Sequence, residues 1–334
     1  MGTKRVMKSN NNADEILLED AFSDFIAEKE SDNLSPSTIH SYQGSFKLFK
    51  NFVNELIGDD MFCSKIDRGT IMKWKTSMQN DALSNNGKPN SRSINHYLRD
   101  MRVFLNWCMH DNRAYISPRF PVEMIKGQEE PFKEFSVDEQ KALIAKPQRK
   151  QDKHFAEWRT WAIVNFVLAT GARASSLCNV KIENIDFAKR EITLAHTKNK
   201  KAHVVPLSAG LDSALKEYMR VFDFTKAIYL FPSVGNEKLT VNALRLSFKR
   251  YCENRHVKKS NIHGLRHSYA KAFLKNSGGD SFRLKALLGH STLEMTNRYV
   301  NLYIEDIKED FDRFSPLDNL KSSSNRTNRI KKTD

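Results

Sequence analysis

Arg173, Lys198, His263, Arg266, His290 and Tyr299 follow one another through the later part of a 334-residue chain, and their types suit one kind of chemistry. Breaking a DNA strand without water as the attacker requires a nucleophile, cations to neutralise a phosphorane-like transition state, and an acid for the leaving oxygen. Guanidinium suits the two non-bridging oxygens because it stays charged and presents a planar fork of donors, while His and Lys can both donate hydrogen bonds and move protons. Tyrosine is a weak nucleophile at its ordinary pKa of about 10 and needs such neighbours.

Each residue requires an element to hold it. Arg173 follows Gly171 in ATGARASSLCNV, a glycine able to end a helix, so it sits at a helix junction. Lys198 lies in TKNKK (197–201) between the β-like runs REITLAH (190–196) and AHVVPL (202–207), at a hairpin tip where Lys200 and Lys201 are its alternatives. His263 and Arg266, in NIHGLRHSYAKAF, are three apart and share a face if helical. In FRLKALLGHSTLEMTNRYV, Leu284, Leu287 and Leu288 end an apolar helix at Gly289, which puts His290 on a corner. Ser291 and Glu294 then open a further helix, with Tyr299 about two turns in and Tyr303 one turn later as an alternative nucleophile. Taken singly, each has an ordinary explanation: a surface arginine, a solvated loop lysine, a capping histidine, a core aromatic.

The whole chain is long for one core, since single cores rarely grow past roughly 250 to 300 residues, and two domains are expected. Hydrophobic residues make up 40% of it and include ample aromatics, so wholesale disorder is excluded. With 54 Lys plus Arg against 40 Asp plus Glu, the net charge of +14 favours a polyanionic partner, nucleic acid or an anionic membrane. The most apolar run, Trp161 to Ala169, is far shorter than the roughly 20 residues a membrane span needs. The amino terminus turns polar where an export signal is apolar, so a cytoplasmic protein is expected. Cys63, Cys108, Cys178 and Cys252 have no CxxC spacing and suggest neither zinc nor disulfides.

Ile39, Tyr42, Phe46, Phe49, Val53 and Leu56 recur at helical steps, as do Ile71, Trp74 and Met78, and then Ile94, Tyr97, Met101, Phe104, Leu105 and Cys108, so the first 120 residues read as all-helical. Pro118, Pro121, Gly127 and Pro131 mark a linker. The pattern SVDE at Ser136 to Glu139 is a capping box that opens the next domain, and a long helix ends near Gly171. The expected fold is mainly α with a small β-sheet, an α-helical first domain and an α+β second one. The expected division is a flexible terminus at 1–14, a helical domain at 15–128, a linker at 129–135, a second domain at 136–316 and a flexible basic tail at 317–334.

The order Arg, hairpin Lys, HxxR, a GH corner and Tyr nine residues after that His resembles the tyrosine recombinase or phage integrase family. The pieces that carry the likeness are TGAR (170–173), TKNKKAHVVPL (197–207), HGLRHSYA (263–270) and LLGHSTLEMTNRY (287–299), spread over most of 136–314. The resemblance implies that Tyr299 is the nucleophile, that Arg173 and Arg266 clamp the phosphate, that Lys198 is the general acid, and that His263 and His290 support by hydrogen bonding or proton transfer. It implies a site-specific recombinase acting on duplex DNA through a covalent 3′-phosphotyrosine, with a first domain that binds the core of its sites. No cofactor or metal is implied. The implied partners are double-stranded DNA bearing specific recombination sites, further copies of the chain in a tetramer on paired sites, and accessory DNA-bending proteins. Rival readings are a non-cutting DNA-binding protein of the same ancestry, a type IB topoisomerase and a metal-dependent nuclease. One departure is visible: Ser176 stands where the family usually has an acidic residue three places after the first arginine, so another group must orient Arg173. Tyr303, Ile307, Phe311 and Phe314 form a last amphipathic face, expected to dock on a neighbouring copy.

Overall fold

The structure is a computed structural model, and it describes residues 16–59, 61–80, 90–126, 134–147, 155–195, 202–300, 315–317 and 320. The chain divides into two compact units, 1–130 and 131–334.

The first unit is built from α1 (Leu18–Ser31), α2 (Pro36–Ile57), α3 (Arg68–Asn80) and α4 (Ser91–Cys108). Helix α2 starts where Ser35 Oγ accepts the Thr38 N–H and Pro36 occupies the first turn, whose N–H groups have no helical partner anyway. Ile39, Tyr42, Phe46, Phe49 and Val53 are buried along one stripe, whereas Leu56, expected on the same stripe, is exposed at the helix end. The core is aromatic: Phe22 stacks on Phe46 at 3.7 Å between centroids, and Phe104 meets both edge-on. Each such ring contributes about 1.5–3 kcal/mol by burial. Helix α1, which periodicity did not single out, supplies Leu18, Ala21, Phe22 and Phe25 to this core. The proline-containing stretch expected as linker begins inside it, for Val122 is buried and the Asn95 side chain pairs with both the N–H and the carbonyl of Ile125.

In the second unit Ser136 and Glu139 close the capping box of α5 (Val137–Ile144). Helix α6 (Phe155–Thr170) is buried on nearly every side and ends at Gly171, and α7 (Ala174–Leu177) follows. The chain then forms a three-stranded antiparallel sheet, β1 (Ile185–Asp186), β2 (Glu191–Ala195) and β3 (Ala202–Pro206), in the order β1-β2-β3, with Glu191 opposite Pro206 and Ala195 opposite Ala202. Ile192, Leu194 and Val205 face the core while Val204 is exposed, the alternation of a half-buried sheet. Helices α8 (Ala209–Val221), α9 (Val241–Asn254), α10 (Ile262–Asn276) and α11 (Ser281–Leu288) complete it, with α10 packed on α6. The fold is thus mainly α with a small β-sheet, the second unit being α+β. Residues 294–300 are helical after a bend at 291–293. The helix starts two residues later than a Ser291 cap with Glu294 at its third position would place it: Thr296 and Asn297 both donate to the Leu293 carbonyl. Among the described residues no helix is long and apolar enough to cross a membrane.

Candidate active site

Gly171 fixes the first arginine. Its φ of +65° lies where side chains are strained, and a Cβ there would come within 2.5 Å of Leu288 and 2.6 Å of Tyr269. The turn it makes delivers Arg173 to the N-terminal edge of α7. It also points the Gly171 carbonyl at Arg266, whose Nη1 donates to it at 2.5 Å.

Arg266 is 3% exposed on α10, and among the described residues its partners are not carboxylates. Its Nη2 donates to the Leu288 carbonyl at 3.1 Å and to His290 Nε2 at 2.8 Å. Because a guanidinium only donates, His290 accepts through Nε2, keeps its proton on Nδ1 and directs it toward Thr296 Oγ1 at 2.8 Å. Gly289, in the left-handed conformation at φ 60°, closes α11 and sets His290 at this corner. Arg173 donates to the same Leu288 carbonyl at 3.5 Å. That main-chain oxygen answers the question raised by Ser176: the end of α11, where carbonyls carry partial negative charge, orients both arginines.

Tyr299 lies between these groups. Its ring is 6.3 Å from that of His290 and nearly parallel, and its hydroxyl is 3.0 Å from His267 Nδ1. His263 stands one turn before His267 on α10, their rings edge to face at 4.6 Å. Arg173, His263, Arg266, His267, His290, Arg298 and Tyr299 all line one cavity of about 410 Å³, whose one lining carboxylate among the described residues is Glu294. Five of the six residues singled out in the sequence therefore meet here. The sixth, Lys198, and its alternatives Lys200 and Lys201 lie outside the described residues, as does the face of Tyr303, Ile307, Phe311 and Phe314. Two lining residues able to carry charge or protons escaped sequence reasoning, His267 and Arg298, although each sits beside a residue that did not.

Burial beside cations shapes the protonation states. Burial, reinforced by Arg173, lowers the Arg266 guanidinium to about 10, which leaves it charged at neutral pH. Burial, then Arg266 and Arg173, drives His290 down to about 3. His267 falls to about 4, first from burial and then from His263, Arg266 and Arg298. His263 is lowered too, burial leading. Burial raises the Tyr299 phenol above its usual 10, opposed by Arg266, Arg173 and Arg298. At neutral pH the cavity thus holds cationic arginines, neutral imidazoles and a protonated phenol, an arrangement that attracts an anion and can move protons. Among the described residues no three His, Cys, Asp or Glu side chains gather as ligands for a metal.

The mainly helical fold with its small antiparallel sheet is shared by solved structures. The Tn1549 transposon integrase in complex with transposon right-end DNA has 15% sequence identity and a TM-score of 0.67, over 85% of this chain and 94% of that one. A lambda integrase tetramer bound to a Holliday junction has 13% identity and a TM-score of 0.67, over 86% of this chain and 78% of that one. The chain belongs to the phage integrase family, whose sequence profile matches residues 133–305. A tyrosine recombinase of Pseudothermotoga lettingae is 27% identical over 302 residues, 89% of this chain and 96% of its own length. Tyrosine recombinase XerA of Pyrococcus furiosus is 34% identical over 161 residues, 47% of this chain and 55% of that protein.

Proposed function

We propose that the chain is a site-specific tyrosine recombinase, in which Tyr299 attacks a DNA phosphodiester to give a 3′-phosphotyrosine and a free 5′ hydroxyl, and a second strand's hydroxyl reverses the step. The observation that carries this reading is the Tyr299 hydroxyl placed in one cavity with Arg173, Arg266, His267 and His290. Arginines anchored in advance stabilise the charge that builds on the non-bridging oxygens, in place of a metal ion. The phosphotyrosyl ester conserves the energy of the bond broken, so rejoining needs no cofactor. Lys198 serves as the acid for the leaving 5′ oxygen, and His263 and His290 support the arginines and the phosphate. The helical first unit holds the core of the site, and the net charge of +14 supports contact with phosphates. Four copies on paired sites fit the reading, as the lambda integrase tetramer on a Holliday junction does for its own sequence. A cytoplasmic, nucleoid-associated location fits such an enzyme.

The test is a Tyr299→Phe chain incubated in EDTA with DNA carrying candidate flanking ends, next to the unaltered chain. The unaltered chain should leave a covalent adduct on denaturing gels and the variant none, with DNA binding nearly intact because only one oxygen is lost. An adduct that persists in Tyr299→Phe would remove Tyr299 from its role and move attention to Tyr303.

A further inference from the structure

Resting on the reading of Tyr299 as nucleophile, we propose that His267, through Nδ1, accepts the phenol proton as the Tyr299 oxygen bonds to phosphorus. The O–H bond of Tyr299 breaks and its proton goes to Nδ1, the new O–P bond forms, and the bond from phosphorus to the 5′ oxygen breaks with a proton supplied by the acid. No oxidant, reductant or further reactant enters.

Geometry singles out His267 among the three cavity histidines. Its Nδ1 is 3.0 Å from the Tyr299 hydroxyl, within the reach a general base requires. His290 is turned away from the phenol proton, because Nε2 accepts from Arg266 and Nδ1 donates to Thr296, which engages both ring nitrogens elsewhere. His263 meets the edge of the His267 ring at 4.6 Å and braces it. Arg266 and Arg173 favour the anionic form of the phenol, and the single O–H of Tyr299 has His267 Nδ1 at 3.0 Å to receive its proton. Nδ1 is then the accepting nitrogen of a ring whose proton sits on Nε2. The neutral state of His267 at physiological pH leaves that nitrogen able to take a proton. Its low basicity comes from burial first and then from the cationic groups beside it. A DNA phosphate seated between Arg173 and Arg266 opposes that cationic field and raises the basicity of His267 when the proton must move.

Proton acceptance and simple positioning predict different results when the phenol is made more acidic. Single-turnover cleavage would be measured with His267→Asn, which keeps an oxygen near the Nδ1 position but cannot take up a proton, and with His267→Gln as a second variant. Each would be paired with tyrosine or 3-fluorotyrosine at position 299, with melting temperature and DNA binding recorded for every protein. The expected result is a cleavage loss of about 10²-fold or more in both variants with tyrosine, the usual range for a general base, which shrinks by at least tenfold with fluorotyrosine. A defect of the same size with both phenols would make His267 a positioning residue and overturn the proposal. Cleavage near the unaltered rate in either folded variant would overturn it too. If the unaltered chain forms no adduct at all, it is the recombinase reading that fails, an outcome separate from both.

Discussion

In the first unit Asp100 is 7% exposed, yet Ser41 and Ser45 donate to it at 2.7 and 2.8 Å and His96 lies 3.7 Å away, while Glu28 meets Arg113 and the Trp107 indole. Both carboxylates are satisfied by their own neighbours. In the second unit Arg266 is just as deeply buried, but its partners are two carbonyls and a neutral imidazole, and Arg173 and Arg298 stand close by. Main-chain oxygens fix the direction of a guanidinium without cancelling its charge. A buried polar group that closes on itself builds a core, whereas a buried cation aligned but not neutralised is prepared for an anion from outside.

The sharpest way to break this contrast is to remove the aligned cations. Arg266→Ala and Arg173→Ala should each slow single-turnover cleavage by about 10²-fold or more, the loss typical of a preorganised transition-state donor. Arg266→Ala should also lower stability by about 1–3 kcal/mol, because the carbonyls of Gly171 and Leu288 and the His290 ring lose their donor. Near-normal rates in both variants would make the arginines structural, like the groups of the first unit. Gly171→Ala comes next: the strained φ and the contact with Leu288 and Tyr269 should cost about 1–3 kcal/mol in thermal or denaturant unfolding and displace Arg173 with Arg266. A variant with unchanged melting and unchanged cleavage would show that the turn does not position them.

Asp100→Ala should cost about 1–2 kcal/mol by leaving Ser41 and Ser45 without their acceptor, while cleavage at saturating DNA stays as it was. A tenfold loss of cleavage in that variant would mean the two units do not divide their roles in this way. The smallest effect concerns pH. His267 and His290 titrate near 4 and 3 in the folded chain, below the usual value of about 6.5. Above about 6.5 they are neutral whether the chain is folded or not, and they contribute nothing to pH dependence. As pH falls from there toward about 4 the unfolded chain takes up their protons first, so stability declines. Melting curves across that window should fall more steeply for the unaltered chain than for His290→Asn, and parallel curves would refute the assigned burial of charge-sensitive histidines.

Side-chain chemistry was largely legible in the sequence, and main-chain chemistry was not. The spacing of Ile39, Tyr42, Phe46, Phe49 and Val53 read directly as the buried face of α2, and Gly171 and Gly289 read as helix ends. Strand β1 has two residues, too few to show alternation. The exposure of Leu56 and the packing of Val122 and Ile125 depend on where α2 stops and on what Asn95 reaches across the fold, which no local pattern carries. His267 was hidden for a related reason. It stands next to Arg266 in the chain, but its value comes from a hydroxyl 32 residues away. The anchor for Arg173 was foreseen as a need created by Ser176, yet the carbonyl that meets it has no letter in a sequence.

An aspartate or glutamate orienting Arg173 would be a titrating hinge: in sufficiently acid solution it would pick up a proton, lose its grip and let the guanidinium swing. The Leu288 carbonyl behaves differently, because a peptide oxygen takes up no proton anywhere in the range where proteins stay folded. Anchoring Arg173 and Arg266 on the last carbonyl of α11 makes their aim indifferent to acidity, so any acid sensitivity of the cavity must come from groups other than this anchor.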